Sequence, residues 1–181
     1  MRKTLVALMG ALGFLSSCGG LDGEVYVGMK PEFDLREYFD GPVKAWGFIQ
    51  DRSGKVVTRF DADIVGSWDG DRGRLDEKFT YYDSGEVQER VWEITKLDGP
   101  LYEATAGDII GKAQGHAFGN AIRWTYEMDV PYGGTTYRLK FEDWIWGMKD
   151  GVIINRSYMR KFGIVVAELT VFMQKQPNAE G

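Results

Sequence analysis

The stretch "AIRWTYEMDV", Ala121 to Val130, decides the fold. Ile122, Trp124, Tyr126, Met128 and Val130 alternate there with Arg123, Thr125, Glu127 and Asp129. Successive strand side chains point to opposite faces, so this period of two marks a strand with one buried and one solvated face. The same rhythm recurs on both sides. Phe60, Ala62 and Ile64 alternate with Asp61 and Asp63, and Tyr137, Leu139 and Phe141 with Arg138 and Lys140. Val165, Ala167, Leu169, Val171 and Met173 line one face of a last strand. Turn-forming clusters separate the runs: Asp51 to Gly54, Asp69 to Asp71, Asp83 to Gly85, Asp98 to Pro100, Tyr132 to Gly134, and Lys149 to Gly151. Each supplies residues that accept positive φ or set up a tight turn.

The pattern predicts about nine or ten strands joined mostly by hairpin-length loops. Such a meander removes its exposed edges by closing, so the expected fold is all-β, an antiparallel closed or nearly closed barrel. One short helix is expected over Pro31 to Phe39, where Leu35, Tyr38 and Phe39 share a face. Placed just before the first strand, it would plug one end of the barrel. Gly107, Gly111, Gly115 and Gly119 recur every four residues. Four glycines would cost a helix about 1 kcal/mol each, so they read as bends in strands.

The chain has 181 residues, 44% hydrophobic and 27% charged, which suits one folded domain. Its formal charge of −5 and the lack of a Lys/Arg tract argue against nucleic-acid binding. The only histidine, His116, has no remaining cysteine or patterned carboxylate around it. It reads as a surface residue, and neither a metal site nor a cofactor is implied.

The first residues carry an address. Arg2 and Lys3 form a short basic region and Leu5 to Leu15 an apolar run, too short for the roughly 20 residues that span a bilayer. Leu15-Ser16-Ser17-Cys18 then resembles a bacterial lipobox, in which the cysteine thiol takes a diacylglycerol and cleavage precedes it. An ordinary secretory signal ending in cysteine is the alternative. The expected organisation is a signal peptide over 1–17, a lipidated tether over 18–30, one barrel domain over 31–175 and a flexible tail over 176–181. Cleavage removes Arg2 and Lys3, leaving 20 basic against 27 acidic residues and a charge of −7. Gly19 follows the cysteine where an inner-membrane retention signal has Asp, so the periplasmic face of the outer membrane is expected.

Four segments, "AWGFIQDRSGKVVTRF" (Ala45 to Phe60), "GNAIRWTY" (Gly119 to Tyr126), "FEDWIW" (Phe141 to Trp146) and "NRSYMRKFG" (Asn155 to Gly163), resemble a bacterial family known as domain of unknown function 3833. The resemblance runs from about Phe33 to Phe172. It implies an envelope lipoprotein with a lipocalin-like barrel, and it carries no established activity and no catalytic residues.

Candidate chemistry lies in the hairpin from Tyr137 to Phe162. Tyr137, Leu139 and Phe141 carry Asp143 onto their face, and Val152, Ile154, Tyr158 and Phe162 carry Arg156 and Arg160 onto theirs. With both apolar faces inward and a four-residue loop from Met148 to Gly151, Asp143 is expected opposite Arg156 inside the barrel. The pair reads either as a structural ion pair or as a head-group site. Arg156 and Tyr158, two residues apart, resemble the Arg-x-Tyr pair with which intracellular fatty-acid-binding barrels hold a carboxylate. Glu77, in phase with Leu75, Phe79 and Tyr81, is a second inward carboxylate. An acid/base pair built from it and Asp143 is the weakest reading, and no enzyme is expected. Trp124 and the other five tryptophans supply an aromatic interior. The expectation is a non-enzymatic carrier of a lipophilic small molecule that uses Arg156, Tyr158, Asp143 and Trp124. The alternative is a solid-packed interaction lipoprotein with a protein partner.

Overall fold

The computed structural model describes residues 22–178. The signal segment, Cys18 and the first residues of the tether, through 21, lie outside the described residues, as does the end of the tail from 179. A 3-10 turn, Gly23–Tyr26, precedes a one-turn helix, α1 (Leu35–Tyr38). Ten strands follow: β1 (Gly41–Asp51), β2 (Val56–Asp69), β3 (Arg72–Tyr81), β4 (Val87–Lys96), β5 (Leu101–Ala106), β6 (Ile109–Phe118), β7 (Ala121–Tyr132), β8 (Thr135–Gly147), β9 (Val152–Lys161) and β10 (Ile164–Lys175). Every neighbour in sequence is a neighbour in the sheet, and β1 also pairs with β10, so the meander closes into an antiparallel barrel. No helix among the described residues is long and apolar enough to cross a membrane.

The alternating residues of β7 behave as their pattern requires. Ile122 and Trp124 are buried, and Tyr126 packs against the core. Ala45, Phe60, Ala62, Ile64, Leu75, Ile94 and Val171 join them from the other strands. The α1 segment floors this interior. Asp34 caps its start by accepting from the Arg36 and Glu37 amides at 2.8 and 3.0 Å. Lys175 Nζ donates to the Glu37, Tyr38 and Asp40 carbonyls, satisfying acceptors at its end. Tyr38 Oη donates to the Gly151 carbonyl at 3.0 Å, tying the plug to the β8–β9 loop. Gly66 is required where the chain crosses β2, because a Cβ there would lie 1.6 Å from the Phe39 carbonyl oxygen.

In the four-residue glycine series Gly111 marks a bend, while Gly115 makes room for a ring. Gly111, at φ +70°, sits where the β6–β7 register shifts between Ile110 and Gln114. Gly115 leaves room for Trp124, whose ring would meet an added Cβ at 2.9 Å. His116 lies half-buried against Phe118, ring centroids 4.0 Å apart.

The hairpin β8–β9 departs from the expected register. Gly147 pairs with Ile153 and Asp143 with Ser157, so odd residues face odd residues. Met148 N donates to the Val152 carbonyl at 2.9 Å, which leaves only Lys149, Asp150 and Gly151 in the loop. Asp150 and Gly151, at φ +61° and +68°, make that three-residue connection possible. A loop one residue shorter than expected reverses the face of every β9 side chain. Ile153, Asn155, Ser157 and Met159 therefore point inward, and Arg156 and Tyr158 stand on the outer wall.

The apolar residues on the outer side of this hairpin have their own cover. Trp144, fully buried, packs with Phe118 and Ala121, flanked by Tyr26, Trp146 and Tyr158. Tyr26 comes from the segment before α1, with its ring 5.6 Å from that of Trp144. "WIW" is thus apolar on both faces, which is why its pattern could not set the register of its partner.

Candidate functional site

Above the plug the barrel encloses a cavity of about 140 Å³. Its walls are mostly apolar, from Leu35 and Phe39 of the plug segment to Phe60, Trp92, Trp124 and Ile145 of the strands. A polar patch interrupts them, formed by Glu77 on β3, Arg90 on β4, Tyr126 on β7, Asp143 on β8 and Asn155 on β9. Strand alternation places each one. Glu77 lies between Leu75 and Phe79, Arg90 precedes Trp92 and Ile94, and Asp143 sits between Phe141 and Ile145.

Asp143 is held on both oxygens. Tyr126 Oη donates to its Oδ2 at 3.0 Å, and Ser157 Oγ donates to its Oδ1. Burial pushes its carboxyl up to about 6 against the hydrogen bonds of Ser157 and Tyr126 and the charge of Arg90. Glu77 faces Arg90 across the β3–β4 ladder. Burial again dominates, raising its carboxyl to about 7, with Arg90 and the Trp92 indole opposing and Asp108 and Asp143 adding to the rise. Both carboxyls are enclosed by the barrel yet front the cavity, so each residue keeps some accessible surface. Glu77 Oε2 itself is buried and has no hydrogen-bond partner.

The one guanidinium of the patch is engaged elsewhere. Arg90 donates from Nε and Nη2 to Asp108 Oδ2 at 2.9 and 2.6 Å, across to the β5–β6 turn. Its Cζ lies 5.6 Å from the Phe79 ring centroid and 5.9 Å from that of Trp92, within cation–π range. Tyr126 stacks on Phe141 at 4.9 Å and 8°, and meets Trp92 edge-on at 5.6 Å.

The structure brings together two of the four residues expected at a ligand site. Asp143 and Trp124 line the cavity and are directly paired across β7 and β8. Arg156 and Tyr158 do not reach it. Arg156 pairs with Glu168 on the outer wall, and the Asp143–Arg156 pair does not form, because the shorter loop puts Ser157 opposite Asp143. The local Arg-x-Tyr resemblance falls with it. Arg90 and Ser157 are the residues sequence reasoning missed. Arg90 had a signal, since it is in phase with Trp92 and Ile94; Ser157 had none without the register. Among the described residues no group of three or more His, Cys, Asp or Glu is arranged to hold a metal ion.

Fold and cavity together define a lipocalin-like barrel with a mostly apolar interior that carries a polar patch. The chain belongs to the family described as "Protein of unknown function (DUF3833)", whose model matches residues 12–175. No curated protein matches the sequence. Among solved structures, the S-type phycobiliprotein lyase CPES from Guillardia theta is similar, with 11% identity and a TM-score of 0.54. The alignment covers 78% of this chain and 91% of that one. At that identity the likeness is one of fold.

Proposed function

We propose that this is a lipid-anchored, non-enzymatic envelope protein that binds a compact lipophilic small molecule inside its barrel. The observation that carries the reading is the cavity, with apolar walls and a few placed polar groups, as in small-molecule sites generally. Its 140 Å³ is below the roughly 300–1,000 Å³ of drug-sized sites. It is close to the engineered cavity of about 150 Å³ that binds benzene. The ligand is therefore ring-sized, or one end of a longer molecule, and not a whole long-chain fatty acid.

The lipobox supports the anchor, and the family match takes in Cys18 because it begins at residue 12. Cys18 precedes Asp22 by four residues, a reach of about 14 Å at most. Gly119, in the β6–β7 turn, lies against the Tyr26 carbonyl, so the described chain begins near the plugged end. An acylated Cys18 would seat that end toward the periplasmic face of the outer membrane and turn the far hairpins away.

Those hairpins favour the second reading, an interaction lipoprotein with a protein partner. Phe162 in the β9–β10 turn is 92% exposed, and Tyr132 at the end of β7 is 75% exposed. Titration with toluene, followed by ligand-detected NMR and tryptophan fluorescence, separates the two. Saturable binding that is lost in Ala113→Leu, which fills the cavity wall, supports the carrier. Toluene that never binds the wild type overturns it in favour of the partner reading. Labelled palmitate should mark the wild type and not Cys18→Ala; label retained by the variant would refute the anchor.

A further inference from the structure

We propose that the ligand carries an ammonium group, held by Glu77 and Asp143 with its apolar body against the aromatic wall. This rests on the small-molecule reading above and names the chemistry of that ligand. A carboxylate ligand of the kind expected for Arg156 and Tyr158 has no receptor inside, because both side chains stand on the outer wall. Among the described residues the one guanidinium at the cavity, Arg90, already donates twice to Asp108. An incoming anion would meet Glu77 and Asp143 in a space of low dielectric, where like charges repel strongly.

A cation meets the opposite conditions. Glu77 Oε2 is buried without a partner on a residue that lines the cavity, an acceptor awaiting a donor. Each Asp143 oxygen accepts one hydrogen bond, from Tyr126 or Ser157, and a carboxylate oxygen has capacity for a second. Phe79, Trp92 and Tyr126 line the same space and give the ligand's apolar body a wall to pack against. Burial raises both carboxyls above their ordinary range, and an ammonium beside them would offset that cost. The groups facing Glu77 from neighbouring elements are Arg90 and Trp92 on β4, Asp108 in the β5–β6 turn, Tyr126 on β7 and Asp143 on β8. An entering ammonium would favour ionised Glu77 and Asp143 and displace their protons.

Calorimetry of the full chain at pH 7 with benzylamine, benzyl alcohol and benzoate tests this. The three share one ring and differ in charge. Benzylamine should bind at least about tenfold more tightly than benzyl alcohol, and benzoate should not bind detectably. Glu77→Gln should cost benzylamine about tenfold and leave benzyl alcohol nearly unchanged. Wild-type binding of benzylamine should also release protons, seen as a heat that differs between phosphate and Tris buffers. That measurement needs no variant to fold. Equal binding of alcohol and amine, a preference for benzoate, or amine binding without proton release overturns the ammonium assignment and leaves the cavity reading standing. Failure of all three probes, the neutral one included, overturns both.

Discussion

Glu77→Gln should reverse its effect on stability with pH. The usual glutamate value is 4.5, and burial in the folded barrel raises Glu77 to about 7. Below pH 4.5 the side chain is protonated in both the folded and unfolded chain, and stability is fully present. As pH rises past 4.5 the unfolded chain ionises while the barrel holds its proton. Stability therefore falls until the folded group also ionises at about 7. At 1.36 kcal/mol per pH unit, the loss over that window is about 3 kcal/mol. Asp143, raised from 3.8 to about 6, loses stability over a lower window of similar size. The two losses do not simply add, because the Asp143 charge contributes to the rise at Glu77. Gln removes the Glu77 share but carries a fixed cost of its own, an amide in place of a carboxyl. That cost cancels when the gap between variant and wild type is compared at two pH values. Urea unfolding at pH 4.5 and pH 7.5 should show the gap moving by about 3 kcal/mol in favour of Glu77→Gln at the higher pH. A gap constant to within about 0.5 kcal/mol would show that Glu77 is solvated in the folded state and would refute the account of the interior.

Asp143→Ala leaves the Tyr126 and Ser157 hydroxyls unpaired inside the barrel and should cost about 2–4 kcal/mol in urea unfolding. Arg156→Ala removes an outer-wall pair with Glu168, both side chains about a third exposed, and a cation–π contact with Tyr158, and should cost about 1 kcal/mol. A loss for Arg156→Ala as large as that for Asp143→Ala would restore the register expected from sequence, in which the two form a buried pair. Gly66→Ala forces a methyl into the Phe39 carbonyl and should cost about 1–3 kcal/mol. It should also speed amide hydrogen exchange at Tyr38 and Phe39, and unchanged exchange there would mean that the plug is not seated on β2.

Much of the barrel was legible in the sequence because its cause is local. The period-two runs of β2, β7 and β10 place their own side chains without reference to a partner, and the turn clusters mark where each run must end. A strand meander then closes because exposed edges are unfavourable, so the fold class and the plug at Leu35 to Phe39 followed. Asp143, Glu77 and Trp124 were placed inward for the same local reason, each in phase with apolar neighbours on its own strand. Arg156 and Tyr158 were misplaced because β9 has apolar residues on both faces: Ile153 and Met159 point inward, while Ile154 and Tyr158 point outward. Only the pairing of β9 with β8, set by how many residues the loop holds, chooses between the two faces. The outer cover of Trp144 by Tyr26 is likewise tertiary, since nothing on β8 announces that a segment over a hundred residues earlier will lie across it. The lone guanidinium of the cavity follows the same division. Alternation alone puts Arg90 on the inner face, but its engagement by Asp108 depends on two strands and a turn meeting in space. That meeting sets which charges of the cavity are left without an ion-pair partner, because a carboxylate's partner is a matter of distance and not of sequence order.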